Sequence, residues 1–173
     1  LTPTASRGAA FGALLLCIPL LVTIAGHLRG ELALERFRYL AAYAARVATP
    51  EDLVSARQLA LAETSLALRW GAHNTDALVA LSHDNLQWSG DDVMPDDTRE
   101  ALARAADAAS VEAVRCAPTD YLGWLALART RMAAGDWDRA DLCVRQARTL
   151  VRRPGEGRMF TVPKTPGDDR QIP

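Results

Sequence analysis

The chain has 173 residues, 49% of them hydrophobic and 24% charged, with a formal net charge of -1. That balance excludes a disordered chain and a strongly basic nucleic-acid binder, and the length fits one modest domain with additions. Ala, Leu and Arg dominate and long β-branched runs are absent, a composition that favours helix because these side chains lose little on entering one.

From Ala9 to Gly26 the sequence carries no charge for 18 residues, which as helix is roughly 27 Å long and close to the hydrocarbon thickness of a bilayer. Pro19 interrupts it, as spanning helices tolerate better than soluble ones. The segment fits a single-pass anchor best, with residues 1–28 as tail and transmembrane span and residues 9–26 in the membrane. A cleaved signal peptide ending near Thr23-Ile24-Ala25 and a buried core helix are the competing readings. Cys17 follows Leu14-Leu15-Leu16, where a lipoprotein signal needs a small residue.

Arg29, Arg36 and Arg38 after the span outnumber Arg7 before it, which counted literally puts the C-terminal part in the cytoplasm. A very short positive tail is nevertheless the usual form of a bacterial signal-anchor that exports the rest of its chain. Nineteen of the 20 basic residues are arginine, Lys164 being the only lysine, a usage that suggests a GC-rich bacterial genome. The expected location is the bacterial inner membrane, single-pass, with a periplasmic C-terminal domain.

Residues 29–48 read as a stalk helix, with Leu32, Leu34, Phe37, Leu40, Ala41 and Ala44 mostly at helical spacing. Thr49-Pro50-Glu51-Asp52 is a helix start, the threonine as cap, the proline at the first position and the acids at the positive end. That helix runs to about Trp70 and Gly71. A second spans Ala77 to about Trp88, followed by a Gly/Pro/Asp-rich break at residues 89–96. Asp97 and Glu100 form a plausible capping pair for a third, ending near Arg115. Tyr121–Ala134 and Trp137–Val151 form a hairpin through Gly135 and Asp136. Residues 154–173 hold four prolines and three glycines and read as an irregular tail whose apolar side chains include Met159, Phe160 and Val162.

Three alanine pairs punctuate residues 49–153: Ala60/Ala67, Ala106/Ala113 and Ala140/Ala147, each seven apart. Seven residues are two helical turns, so each pair lies on one face. Ala106 and Ala140 are 34 residues apart, and Ala60 and Ala106 are 46 apart, one period plus twelve. With Trp124, Leu127, Ala128, Gly135-Asp136 and Val144, residues 118–151 resemble the tetratricopeptide repeat family. Arg131 stands where that family usually has an aromatic and Val144 where it has a larger apolar residue, which makes the packing there thinner.

The resemblance implies an all-α fold: one N-terminal transmembrane helix followed by a short tetratricopeptide-like α-solenoid of helical hairpins. It also implies a concave groove lined by the first helix of each unit. Leu122, Leu125, Arg129, Met132 and Ala133 fall there in the last unit, and Leu78, Leu81, Asn85 and Trp88 in the unit before. Asn85 and Arg129 are the polar groups suited to a peptide carboxylate.

Phosphate loops, nucleophile elbows and metal-ligand spacings are missing from the sequence. His83-Asp84, adjacent on a helix, point about 100° apart. Asp91, Asp92, Asp96 and Asp97 read as caps and turn formers before they read as cation ligands, and Arg145, Arg148, Arg152 and Arg153 as helix-end charges. Cys116 and Cys143 can be two thiols or one bridge. The sequence therefore points to no catalytic residue, metal, cofactor, nucleic acid or small-molecule substrate. It points to protein partners of a membrane-anchored scaffold of envelope machinery, with polysaccharide synthesis or export among the settings, or alternatively to an accessory subunit of an integral membrane complex.

Overall fold

A computed structural model describes the backbone of residues 3–151 and the side chains of residues 17–151. Its helices are α1 (Pro3–Ala44), α2 (Pro50–Arg69), α3 (Thr75–Ser89), α4 (Asp96–Cys116), α5 (Tyr121–Ala133) and α6 (Trp137–Leu150), with no strand among the described residues. The fold is all-α. The predicted irregular tail, with Met159, Phe160 and Val162, lies outside the described residues, as do Arg152 and Arg153.

Local chemistry accounts for most boundaries. The Thr49 side chain accepts from the Asp52 amide, with Pro50 opening α2. Asn74, Asp120 and Asp136 accept from the amides of Ala77, Leu122 and Arg139 to start α3, α5 and α6. Each bond satisfies a donor that the helix itself cannot. Gly71 and Gly135 take φ of +66° and +74°, the left-handed conformation that turns the chain after α2 and α5. The expected capping pair at α4 does not form. Pro95 occupies the cap position without a side-chain bond, and Asp97 Oδ1 accepts from the adjacent Thr98 amide instead. A proline can lead into a helix by its fixed φ alone.

Three helical hairpins result, α1 with α2, α3 with α4, and α5 with α6, while α4 also packs on α5 and α2, and α3 on α5 and α1. All six paired alanines lie inside: Ala60, Ala67, Ala106, Ala113 and Ala140 are 0% exposed and Ala147 1%. They sit on α2, α4 and α6, the second helix of each hairpin. Small side chains let helix axes approach toward the close end of the usual range.

The main core joins Ala33, Leu34 and Phe37 of α1 to Ala60, Ala67, Leu81, Trp88, Leu102 and Ala109. The segment read as a stalk thus supplies core residues to the hairpins. A smaller cluster of Ala128, Cys143 and Val144, flanked by Trp124 and Leu127, holds α5 to α6. Arg131 turns away from it to pair with Asp107 on α4 at 3.2 Å, and Thr130 donates to Asp107 at 3.0 Å. Polar contacts across α4 and α5 therefore supplement a thin apolar seam.

Residues 89–95, which stretch the period, are held to the helices at two points. Met94 is 3% exposed, and Asp91 receives a 2.6 Å bond from Arg57 on α2. Arg57 also lies over the Trp88 ring, whose other neighbour is Phe37 at 5.8 Å between centroids.

The part of α1 from Cys17 to Ala44 is long and apolar enough to cross a membrane. Ile18, Leu20, Leu21, Val22 and Ile24 are exposed, whereas Gly26 and Gly30 are buried against the helical domain. The Thr23 hydroxyl donates to the Pro19 carbonyl at 2.8 Å, satisfying a polar group where lipid could not.

Candidate functional site

A groove of about 190 Å³ separates α3 from α5, lined by Val79, Ser82, His83 and Leu86 on one side and Tyr121, Leu122, Leu125, Ala126 and Arg129 on the other. Three expected residues, Leu122, Leu125 and Arg129, are there. Leu122 and Arg129 are exposed and Leu125 is buried at the floor. Met132 is half-buried elsewhere, and Ala133 lines a separate recess.

On α3 the expected face is turned inward. Leu78, Leu81 and Asn85 are 0% exposed and Trp88 is 7% exposed, all within the core. Asn85 Nδ2 donates to Thr64 Oγ1 at 3.1 Å and to the Leu81 carbonyl at 2.9 Å, so its amide braces α3 against α2. The groove residues are their neighbours one position on, a rotation of about 100°. Counted back from Leu125 and Arg129 by one period plus twelve, the matching α3 positions are Val79 and His83, which line the groove, so the expected α3 set was placed out of register.

A larger recess, about 580 Å³, opens between α4 and α5 beside Ser89, Arg99, Ala103, Arg104, Asp107 and Arg131. Its guanidinium groups are already engaged: Arg99 with Asp92 and Asp96, Arg104 with Glu100, and Arg131 with Asp107. Arg129 in the smaller groove makes no ion pair among the described residues. The acids of residues 91–97 are likewise committed to Arg57, Arg99 and Thr98, and Arg145 to Asp141. His83 and Asp84 approach to 3.4 Å, closer than their place on the helix suggested, with both side chains open to solvent.

A second constellation gathers where α1 crosses the α2–α3 turn. At Gly26 a Cβ would meet the Trp70 ring at 3.2 Å, and at Gly30 the Ala72 amide nitrogen at 3.1 Å. Two hydrogen-only positions thus let the turn sit on α1. Glu31 Oε1 accepts from the His73 amide at 3.1 Å, and the His27 and His73 rings lie 5.0 Å apart. Arg29 and Arg69 lie over Trp70 at 5.2 and 6.0 Å from its ring centroid.

From α4, Cys116 Sγ comes within 3.7 Å of both His73 Nδ1 and Glu112 Oε1. Arg115 bonds both carboxylate oxygens of Glu112, with Nε to Oε2 at 2.7 Å, and this lowers the acid's pKa from its ordinary value. Burial, then the Glu112 charge, pushes the Cys116 thiol up, and burial does the same to Cys143. Cys17, Cys116 and Cys143 are all free thiols. Sequence reasoning missed this cluster because its members are far apart along the chain. The only sequence signal was Glu112 and Cys116 four residues apart on one helix face.

No family model matches the chain, and comparison with curated proteins and with solved structures finds no match.

Proposed function

We propose that this protein is a membrane-anchored, tetratricopeptide-like scaffold whose α3/α5 groove captures a partner segment carrying a carboxylate. The groove with Arg129 at its edge is the observation that carries the reading. About 190 Å³ is below the range typical of small-molecule pockets, which begins near 300 Å³, and suits one side chain or a chain terminus. Leu122, Leu125 and Ala126 supply apolar contact, and an exposed guanidinium without an acidic neighbour can hold a carboxylate bidentately.

A solenoid reading fits the hairpin order, since α3 and α5 are the first helices of successive hairpins and the buried alanine pairs mark the second. Exposed apolar residues of α1 suit lipid, and a single span followed by helical hairpins suits the bacterial inner membrane with the domain exported.

Site-specific photocrosslinking in native membranes tests the groove. A crosslinker at Leu122 is expected to give a discrete adduct that Arg129→Glu reduces at least about tenfold, as loss and reversal of a charge-assisted pair demands. One at Leu142, exposed on α6, is expected to give none. Equal adducts at both positions, or an adduct indifferent to Arg129→Glu, would sink the proposal.

A further inference from the structure

We propose that His73 Nδ1, Glu112 Oε1 and Cys116 Sγ bind one zinc-class divalent cation. Their ligand atoms all lie within 4.8 Å of one another. Tetrahedral zinc, with Zn–S near 2.3 Å and Zn–N or Zn–O near 2.0–2.1 Å, requires sulfur-to-nitrogen and sulfur-to-oxygen separations of about 3.6 Å. The observed separations are 3.7 Å to His73 Nδ1 and 3.7 Å to Glu112 Oε1. The sulfur therefore already stands at about the tetrahedral separation from both partners, and the His73 Nδ1 to Glu112 Oε1 separation, within 4.8 Å, closes toward about 3.3 Å as a cation enters.

Hydrogen bonding explains the convergence poorly. The thiol sulfur faces the Ala72 carbonyl at 4.0 Å as well as His73 and Glu112. One S–H proton serves at most one of these three groups. A cation replacing that proton satisfies thiolate, imidazole and carboxylate together, the proton passing to solvent.

The supports are those of a built site. Glu112 and Cys116 share a face of α4, and His73 is fixed by the Glu31 bond to its amide and by the turn at Gly71. Arg115 bonds both oxygens of Glu112, so a cation at Oε1 displaces its Nη2 bond there, while the Nε bond to Oε2 remains as an outer partner that orients the ligating carboxylate. His73 is exposed and Glu112 and Cys116 are partly so, which leaves an entry path and a fourth position. The His27 ring lies 5.0 Å from the His73 ring. Thiolate with imidazole selects zinc-class ions over magnesium or calcium. Bound metal ties the α2–α3 turn to α4 beside the apolar part of α1.

Cobalt(II) is the probe, added to untagged full-length protein in detergent micelles after chelator treatment. One ion per chain is expected, with a thiolate-to-cobalt charge-transfer band that zinc(II) displaces. Cys116→Ser should abolish the band, and His73→Gln and Glu112→Gln should each weaken binding at least about tenfold, whereas Cys143→Ser should leave both unchanged. Circular dichroism of each metal-free variant checks the fold, and His73, being exposed, is not a core residue. A missing band in the wild type, a band surviving in Cys116→Ser, or wild-type affinity in His73→Gln overturns the site.

Discussion

Arg57 and Asp91 join the middle of α2 to the loop that precedes α4, at a point where the chain has no regular structure to hold it. The loop's Asp91 accepts from Arg57 at 2.6 Å and from the Val93 amide at 3.1 Å. Its carboxyl is held below the ordinary 3.8, first by the guanidinium bond and then by the amide. A depressed folded-state value contributes stability above the ordinary pKa and loses it as pH falls through the folded one. With the Asp91 side chain 33% exposed and its pair partly screened, Asp91→Ala should therefore cost about 0.5–1.5 kcal/mol near neutral pH. Its deficit against wild type should shrink as the pH drops below 3.8; urea melts at neutral and acidic pH measure it. A deficit constant with pH would remove the ion pair as its cause. At this scale the caps Thr49 and Asp136 were legible, because a cap is a local bond between near neighbours. Arg57–Asp91 was not, because its partners are 34 residues apart.

Helix faces were legible wherever small residues repeated. The two-turn spacing of the alanines identifies a contact face without naming the partner, and all three pairs are buried. Ala106→Leu should then overpack the α4 face by about 1–3 kcal/mol, while Ala103→Leu, on the exposed side of the same helix, should be within about 0.5 kcal/mol of wild type. Thermal melts of the two variants decide this; equal midpoints would contradict the close packing. The α3 face was misread. Leu78, Leu81 and Trp88 form an apolar stripe that a sequence cannot assign to core or groove, since both are apolar. Only the neighbours of α3, namely α4, α5, α1 and α2, separate the stripe from the groove one residue further round.

At the scale of the whole molecule, α1 carries the chain from an apolar exposed segment into the core without interruption. Ile18 to Ile24 meet the surroundings, while Ala33, Leu34 and Phe37 are 1–2% exposed. An anchor predicts that alkaline carbonate leaves the protein in the membrane fraction and that its intact mass includes residues 1–25. A soluble product beginning near Gly26 would identify the segment as a cleaved signal instead. Gly26 and Gly30, unremarkable in the sequence, are where the α2–α3 turn rests on α1, and through that turn His27, His73, Glu112 and Cys116 come together. By itself the sequence determined the all-α class, the boundaries of α2 to α6 to within a residue or two, the apolar N-terminal segment and the small-residue faces, because each is set by interactions within a few residues of chain. Only the tertiary structure decided which stripe of α3 faces the groove and that a thiol, an imidazole and a carboxylate share one point in space, because both depend on how separate helices pack.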